Sequence, residues 1–162
     1  MTDTADKPSV IAPPPLLFAV AIVLGLLLDR LLPAYVLATL LTFGERIVVG
    51  VVLIGAGASI TFPAIRGFRS AGTNVEPWKP SVALVTDGIF AWFRNPMYVG
   101  GTVFLVGLAI LLASDWMLVM TIVIGVVMHF GVVLREERYL ETKFGEAYRA
   151  YQARVPRYGL PF

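Results

Sequence analysis

Apolar and polar positions divide the chain into four long apolar runs, separated by polar segments of unequal length. The first run goes from Leu16 to Leu28, behind Pro13, Pro14 and Pro15, and leads into Asp29 and Arg30. Proline is tolerated in a helix's first turn, where its missing N–H has no intrahelical partner. Counted from the prolines, the run approaches the ~20 residues that a membrane-spanning helix needs. Ala34 to Phe43 is apolar but too short to span, which puts it at the membrane interface. The second run extends from about Gly44 to Phe62, with Glu45 and Arg46 at its start and Pro63 expected to close it. The third is Met97 to Ala113 and the fourth Trp116 to Leu134. Only Ser114 and Asp115 lie between them, so these two helices are expected to form a tight antiparallel hairpin.

Two polar segments remain. Ala64 to Pro96 is too long for a turn and too rich in Trp, Phe and Val for a disordered linker, so it reads as an ordered surface segment partly lying at the interface. After Leu134 the pattern changes to REERYLETKFGEAYRAYQARVPRYGLPF. Leu140, Phe144, Tyr148 and Tyr151 keep helical spacing there, which predicts an amphipathic helix that continues the fourth span or bends away from it. The expected fold is therefore all-α: one integral membrane bundle over residues 1–162 with about four transmembrane helices. Its first two helices fall in 1–63 and its chemistry-bearing part in 64–162.

Composition agrees with this pattern. Hydrophobic residues make up 57% of the 162, and charged residues only 15%, against ~45–50% and ~25% in soluble domains. The absence of cysteine excludes disulfides, thiolate metal sites and a cysteine nucleophile; no metal site is expected. A net charge of +2 gives no reason to expect nucleic acid as a partner. Where the charge sits is more informative than its sum. With four spans both termini share a side, and 11 of the 13 Lys and Arg residues then fall on that side, leaving only Arg30 and Arg46 on the other. The positive-inside rule makes the charged side cytoplasmic, with both termini there. It also brings both polar segments to one face, the only place with enough polar groups for chemistry.

Four constellations lie there. Arg94-Asn95-Pro96-Met97-Tyr98 opens the third helix, with Asn95 a good N-cap and Pro96 suited to the first turn. Free N–H groups and the helix dipole could hold a carboxylate or phosphate at such a start; plain capping and interfacial anchoring, both common, are the favoured reading of the bare motif. Arg135-Glu136-Glu137-Arg138 ends the fourth helix. It is either a solvated charge cluster or a pair of carboxylates of which one faces the bundle and takes a cationic ligand. His129 is the only histidine. It lies within an apolar helix, seven positions before Glu136 and so on nearly the same face. Such a group is a functional candidate, or a hydrogen-bond partner for a neighbouring helix. The aromatic and basic run from Phe144 to Arg157 also fits an interfacial helix without any ligand.

Taken together, AGTNVEPWKPSVALVTDGIFAWFRNPMYVGG, the hairpin and REERYLETKFGEAYRAYQARVPRY resemble the isoprenylcysteine carboxyl methyltransferase family of integral membrane enzymes, and are similar to phospholipid N-methyltransferases in the same region. The resemblance covers roughly residues 71–158. It implies S-adenosyl-L-methionine as cofactor, bound at the cytoplasmic face, and a lipid-like or hydrophobic acceptor. By position, Arg94, Asn95, Pro96, Met97 and Tyr98 would line the cofactor site. Glu136 and Glu137 would lie near its ammonium or shape the acceptor site, and Tyr148, Tyr151 and Arg154 would close the pocket. Asn95 stands where histidine is usual and cannot accept a proton near neutral pH. A proton acceptor, if needed, would be Glu136, Glu137 or His129. The acceptor is open at this point between a prenylated carboxylate and an amine, thiol or hydroxyl. A crevice opened by Gly100, Gly101, Gly125 and Gly131 is one route for it from the bilayer, although packing alone explains these glycines. The competing class is a non-enzymatic transporter subunit or structural partner. Oligomeric state is not legible.

Overall fold

The computed structural model describes residues 6–159, and its regular elements among those are all helical. Helix α1 (Pro14–Leu31) and the short α2 (Val36–Leu40) precede α3 (Phe43–Ser70). After an irregular stretch and a 3-10 turn (Gly88–Ala91) come α4 (Pro96–Leu112) and α5 (Asp115–Met128). Helix α5 passes through a π turn (His129–Val133) into α6 (Leu134–Phe144), and α7 (Glu146–Arg154) comes last. By length and composition, Pro14–Leu31, Phe43–Ser70 and the continuous Asp115–Phe144 can cross a membrane; α4, at 17 residues, is a shorter apolar helix beside them. The expected apolar bundle is thus present. Its outer faces carry exposed Val23, Val48, Val52, Ile122 and Phe130, as lipid contact requires.

Helix α3 does not end at Pro63. It runs for 28 residues, through the proline and across the expected boundary at 63/64, to Ser70. Proline costs the helix one hydrogen bond and strains its turn, but close packing on both sides holds the segment. Before it, Gly57 and Gly100 bring α3 and α4 so near that a Cβ on Gly57 would lie 2.5 Å from the Gly100 carbonyl oxygen. Just past it, Ala64 is completely buried with Val85, Phe90 and Tyr148. Small residues at such a crossing let backbones meet where no hydrophobic gain is available. The start of α3 is fixed by a capping box: the Thr42 hydroxyl accepts from the Glu45 N–H and the Glu45 carboxylate accepts from the Thr42 N–H at 2.8 Å.

The hairpin between α4 and α5 is as expected, and its tip is locked. Ala113 adopts a left-handed conformation (φ +53°) and the Ser114 hydroxyl accepts from the Met117 N–H at 3.2 Å. The Asp29 carboxylate, at the end of α1, accepts from the Ser114 hydroxyl and the Trp116 N–H. Asp115 reaches the other way and caps α2, accepting from the Val36 and Leu37 N–H groups at 2.8 and 2.9 Å. The interfacial connection is thereby tied to the hairpin.

At the opposite end the fourth span bends, and the expected amphipathic helix is two helices. Gly145, with φ +54°, takes a conformation costly to other residues and turns α7 back against the bundle. Tyr148 and Tyr151 are buried there beside Phe90.

Candidate active site at the charged end of the hairpin

The site is built where α4 begins, α6 leaves the π turn and the C-terminal segment returns. Pro96 opens α4 as expected, but the Asn95 side chain makes no cap bond. Its backbone (φ −126°, ψ +55°) lies off the extended conformation of an N-cap. The buried amide instead donates to the Arg157 carbonyl oxygen at 3.4 Å. One residue earlier, the Arg94 N–H donates to the Pro156 carbonyl oxygen at 3.0 Å. These two bonds bring the C-terminal segment against the start of α4.

Charge obeys the same geometry. Glu137 is buried, and the Arg157 guanidinium clasps it bidentately at 2.8 and 2.9 Å. Arg94 Nη1 lies 3.0 Å from the same carboxylate. The Arg94 side chain is only 10% exposed, and its Nε is buried without a protein partner, a costly state for a cation. Glu136 points elsewhere and accepts from the Tyr98 hydroxyl at 2.8 Å. Tyr148 and Tyr151 stack obliquely, 6.1 Å between ring centroids, and the Tyr151 hydroxyl donates to the Phe90 carbonyl oxygen at 2.7 Å. Burial raises the pKa of both phenols, so they are neutral donors at physiological pH.

Arg94, Asn95, Glu136, Glu137, Tyr148 and Tyr151 line one narrow cavity of about 50 Å³. Its roof is the irregular segment 74–85, pinned by Asn74 donating to the Pro80 carbonyl oxygen at 2.7 Å and by the Ser81 N–H donating to the Tyr139 hydroxyl at 3.0 Å. Pro96, Met97 and Tyr98 line an adjoining recess with Arg94 and Glu136. The other sequence-picked groups lie apart. Arg154 is on an exposed face, its Nε donating to the Ala150 carbonyl oxygen of its own helix; Arg157, three residues on, is the cation that reaches Glu137. His129 opens the π turn and contacts the Tyr158 hydroxyl through Nδ1 at 2.8 Å. The π turn carries one residue more than an α turn, which rotates α6 by ~100° relative to α5. His129 and Glu136 therefore do not share a face: the first lines an apolar groove, the second the polar cavity.

That groove, about 500 Å³, runs between α4 and α5. Its walls include Val99, Val103, Ile122 and Val126, with Tyr98, Thr102, His129 and Tyr158 as its polar groups. Tyr98 stands between the two spaces: its ring lines the groove and its hydroxyl reaches Glu136. Of the four glycines expected to open a crevice, only Gly125 lines it. Gly100 packs on α3, Gly101 on Phe18 and Gly131 on Ile11. Arg157, Tyr158 and the 74–85 roof are the parts that helical periodicity gave no means of finding, because none belongs to a regular helix.

A polytopic helical membrane protein with a buried, charged cavity beside a lipid-facing groove is the class that fold and site define. The sequence signature of the phospholipid methyltransferase family matches residues 45–147, and the chain belongs to that family. Its relatives include the protein-S-isoprenylcysteine O-methyltransferases of Schizosaccharomyces pombe (38% identical over 81 residues), Xenopus laevis (39% over 83) and Homo sapiens (39% over 86). These alignments take in 48%, 51% and 49% of this chain but only 33%, 28% and 28% of those proteins. The chain thus matches about a third of the length of its curated relatives.

Proposed function

We propose that this protein transfers a methyl group from S-adenosylmethionine to a lipid-like acceptor, the carboxylate of a prenylated cysteine type, at the cytoplasmic face of the membrane. One observation carries the reading: Tyr98, which lines the apolar groove, donates to Glu136, which lines the polar cavity, so that a charged donor and a greasy acceptor can approach this bond from opposite sides.

The donor set suits the cofactor. Arg94, with its unpartnered Nε, matches a carboxylate; Glu136 and Glu137 match an ammonium; the buried Tyr148 and Tyr151 rings match an adenine and a sulfonium. When bound, the cofactor supplies a methyl group on a positively charged sulfur. The cavity is narrower than such a molecule, so the 74–85 roof must lift to admit it. The protein's own contribution is position and exclusion of water. Oriented reactants can gain ~7–11 kcal/mol of barrier lowering, and Tyr98 with Glu136 fixes the point at which they meet. A carboxylate acceptor gives up no proton, so the reaction needs no general base. That agrees with Asn95 at the start of α4, which cannot serve as one. The groove supplies the apolar wall for a prenyl chain.

The test is methyl transfer from the labelled cofactor, by the purified protein in lipid nanodiscs, to a farnesylated cysteine, a lipid amine and a hydrophobic thiol. Ester formation on the first is expected. Transfer only to the amine or thiol overturns the acceptor. Failure of S-adenosylhomocysteine to bind by calorimetry, in several detergents and lipids, overturns the enzyme reading and leaves the non-enzymatic class.

A further inference from the structure

A second cavity lies on the charged face, outside the site just described. Residues Lys7, Pro8 and Ser9 border an open groove of about 530 Å³ with Arg135, Arg138, Tyr139 and Thr142. The N-terminal strap is fastened there. The Ile11 N–H donates to the Gly131 carbonyl oxygen at 3.1 Å, within the π turn. Arg135 Nη1 donates to the Ser9 carbonyl oxygen at 2.9 Å, and Lys143 pairs with Asp6 at 2.5 Å.

Among the described residues, three cations remain without a counter-charge. The neighbouring carboxylates are all engaged elsewhere: Asp6 by Lys143, Glu136 by Tyr98, Glu137 by Arg94 and Arg157, Glu141 by Arg149. Among the described residues Lys7, Arg135 and Arg138 have no ion-pair partner, and Arg135 Nε is buried with no partner of any kind. The height of the groove is also informative. Arg135 lies 20 residues along a continuous helix from Asp115, hence ~30 Å, the thickness of the hydrocarbon core. The groove is therefore level with the phosphates of the lipid headgroups.

We infer that this groove binds the phosphate of an anionic phospholipid of the surrounding leaflet, held by Arg135, Arg138 and Lys7. A juxtamembrane cation contributes about five-fold to binding an anionic lipid surface, so all three together set a clear preference for anionic over zwitterionic lipid. The lipid site is independent of the methyltransferase reading, and its test needs no turnover.

Native mass spectrometry of the purified protein with phosphatidylglycerol and with phosphatidylcholine measures the preference directly. Retained phosphatidylglycerol is expected to fall about 25-fold in the double variant Lys7→Gln, Arg138→Gln, while phosphatidylcholine is unchanged. Neither substitution removes a bond between elements, since Arg138 donates only to the Leu134 carbonyl oxygen of its own helix. The exposed Arg69→Gln is the control. Equal retention of both lipids by the native protein overturns the inference, as does an equal loss with Arg69→Gln. A third arm titrates inorganic phosphate. Thermal stabilisation by phosphate alone, abolished in the double variant and unaccompanied by lipid preference, would make this a soluble-anion site and overturn the lipid assignment.

Discussion

Replacing Glu137 with glutamine preserves its shape and removes its charge, which makes it a direct probe of how the C-terminal segment is held. Two guanidiniums then face an amide. Arg157 is 30% exposed and can turn to water, so its loss of partner is partly screened. Arg94 cannot: its side chain is 10% exposed and its Nε already lacks a partner. Removing one member of a buried pair costs about 3–5 kcal/mol, and most of that falls on Arg94. For a chain of this size 1 kcal/mol moves the melting temperature by ~2–4 °C, so Glu137→Gln is expected to lower it by ~6–20 °C. Arg157→Ala leaves Glu137 with Arg94 and costs less, about 1–2 kcal/mol. In the double variant Arg94→Gln, Glu137→Gln no unpaired charge stays buried, and part of the loss returns. Thermal unfolding in mild detergent, followed by tryptophan fluorescence, measures all four proteins. A Glu137→Gln melting temperature within 2 °C of native, about 1 kcal/mol, would refute the reasoning. So would a double variant no more stable than Glu137→Gln alone.

Tyr98→Phe removes only the hydroxyl that reaches Glu136; a loss of about two- to ten-fold in methyl transfer, with a melting temperature lowered by a few degrees, is expected from kinetics with a prenylcysteine acceptor and a thermal scan. Gly57→Ala places a Cβ 2.5 Å from a backbone oxygen of α4 and should cost about 1–3 kcal/mol; at Gly125, with nothing within 4 Å, alanine should be neutral, and a thermal scan separates the two. Gly125→Leu fills the groove and should raise KM for a prenylated acceptor while S-adenosylhomocysteine affinity stays constant by calorimetry. Burial raises the Tyr158 pKa to about 12 and that of Tyr148 and Tyr151 as well. Their neutral forms therefore stabilise the fold fully below pH ~10, the unfolded value, and that stability drains away as pH rises toward 12. Melting temperatures across that range should decline less steeply in Tyr158→Phe.

Much of this architecture can be read from the order of residues. Ser114-Asp115 between two apolar runs forces a hairpin, and Pro96 after Asn95 marks a helix start, because both signals are local. What could not be read depends on distant partners. Pro63 ends a helix on its own but not when Gly57 and Ala64 clamp it against α4 and Tyr148. Asn95 is a capping residue by type, yet the Arg157 carbonyl claims its amide. Glu136 and Glu137 are adjacent and chemically alike; their different roles depend on Tyr98 and on Arg157, 20 residues further on. The π turn has no marker among His129-Phe130-Gly131-Val132-Val133, which is why an α-helical count put His129 and Glu136 together.

That turn has a consequence for how the protein can change over time. The offset between groove and cavity is stored as a number of residues rather than as any side chain. Substitution can alter the lining on either side and leave the offset intact. A one-residue deletion between 129 and 133, by contrast, would turn α6 as a whole and move Glu136 and Glu137 off their partners together. The lining of the groove can drift by point mutation along α4 and α5, while this short stretch tolerates exchange of letters but not a change in their count.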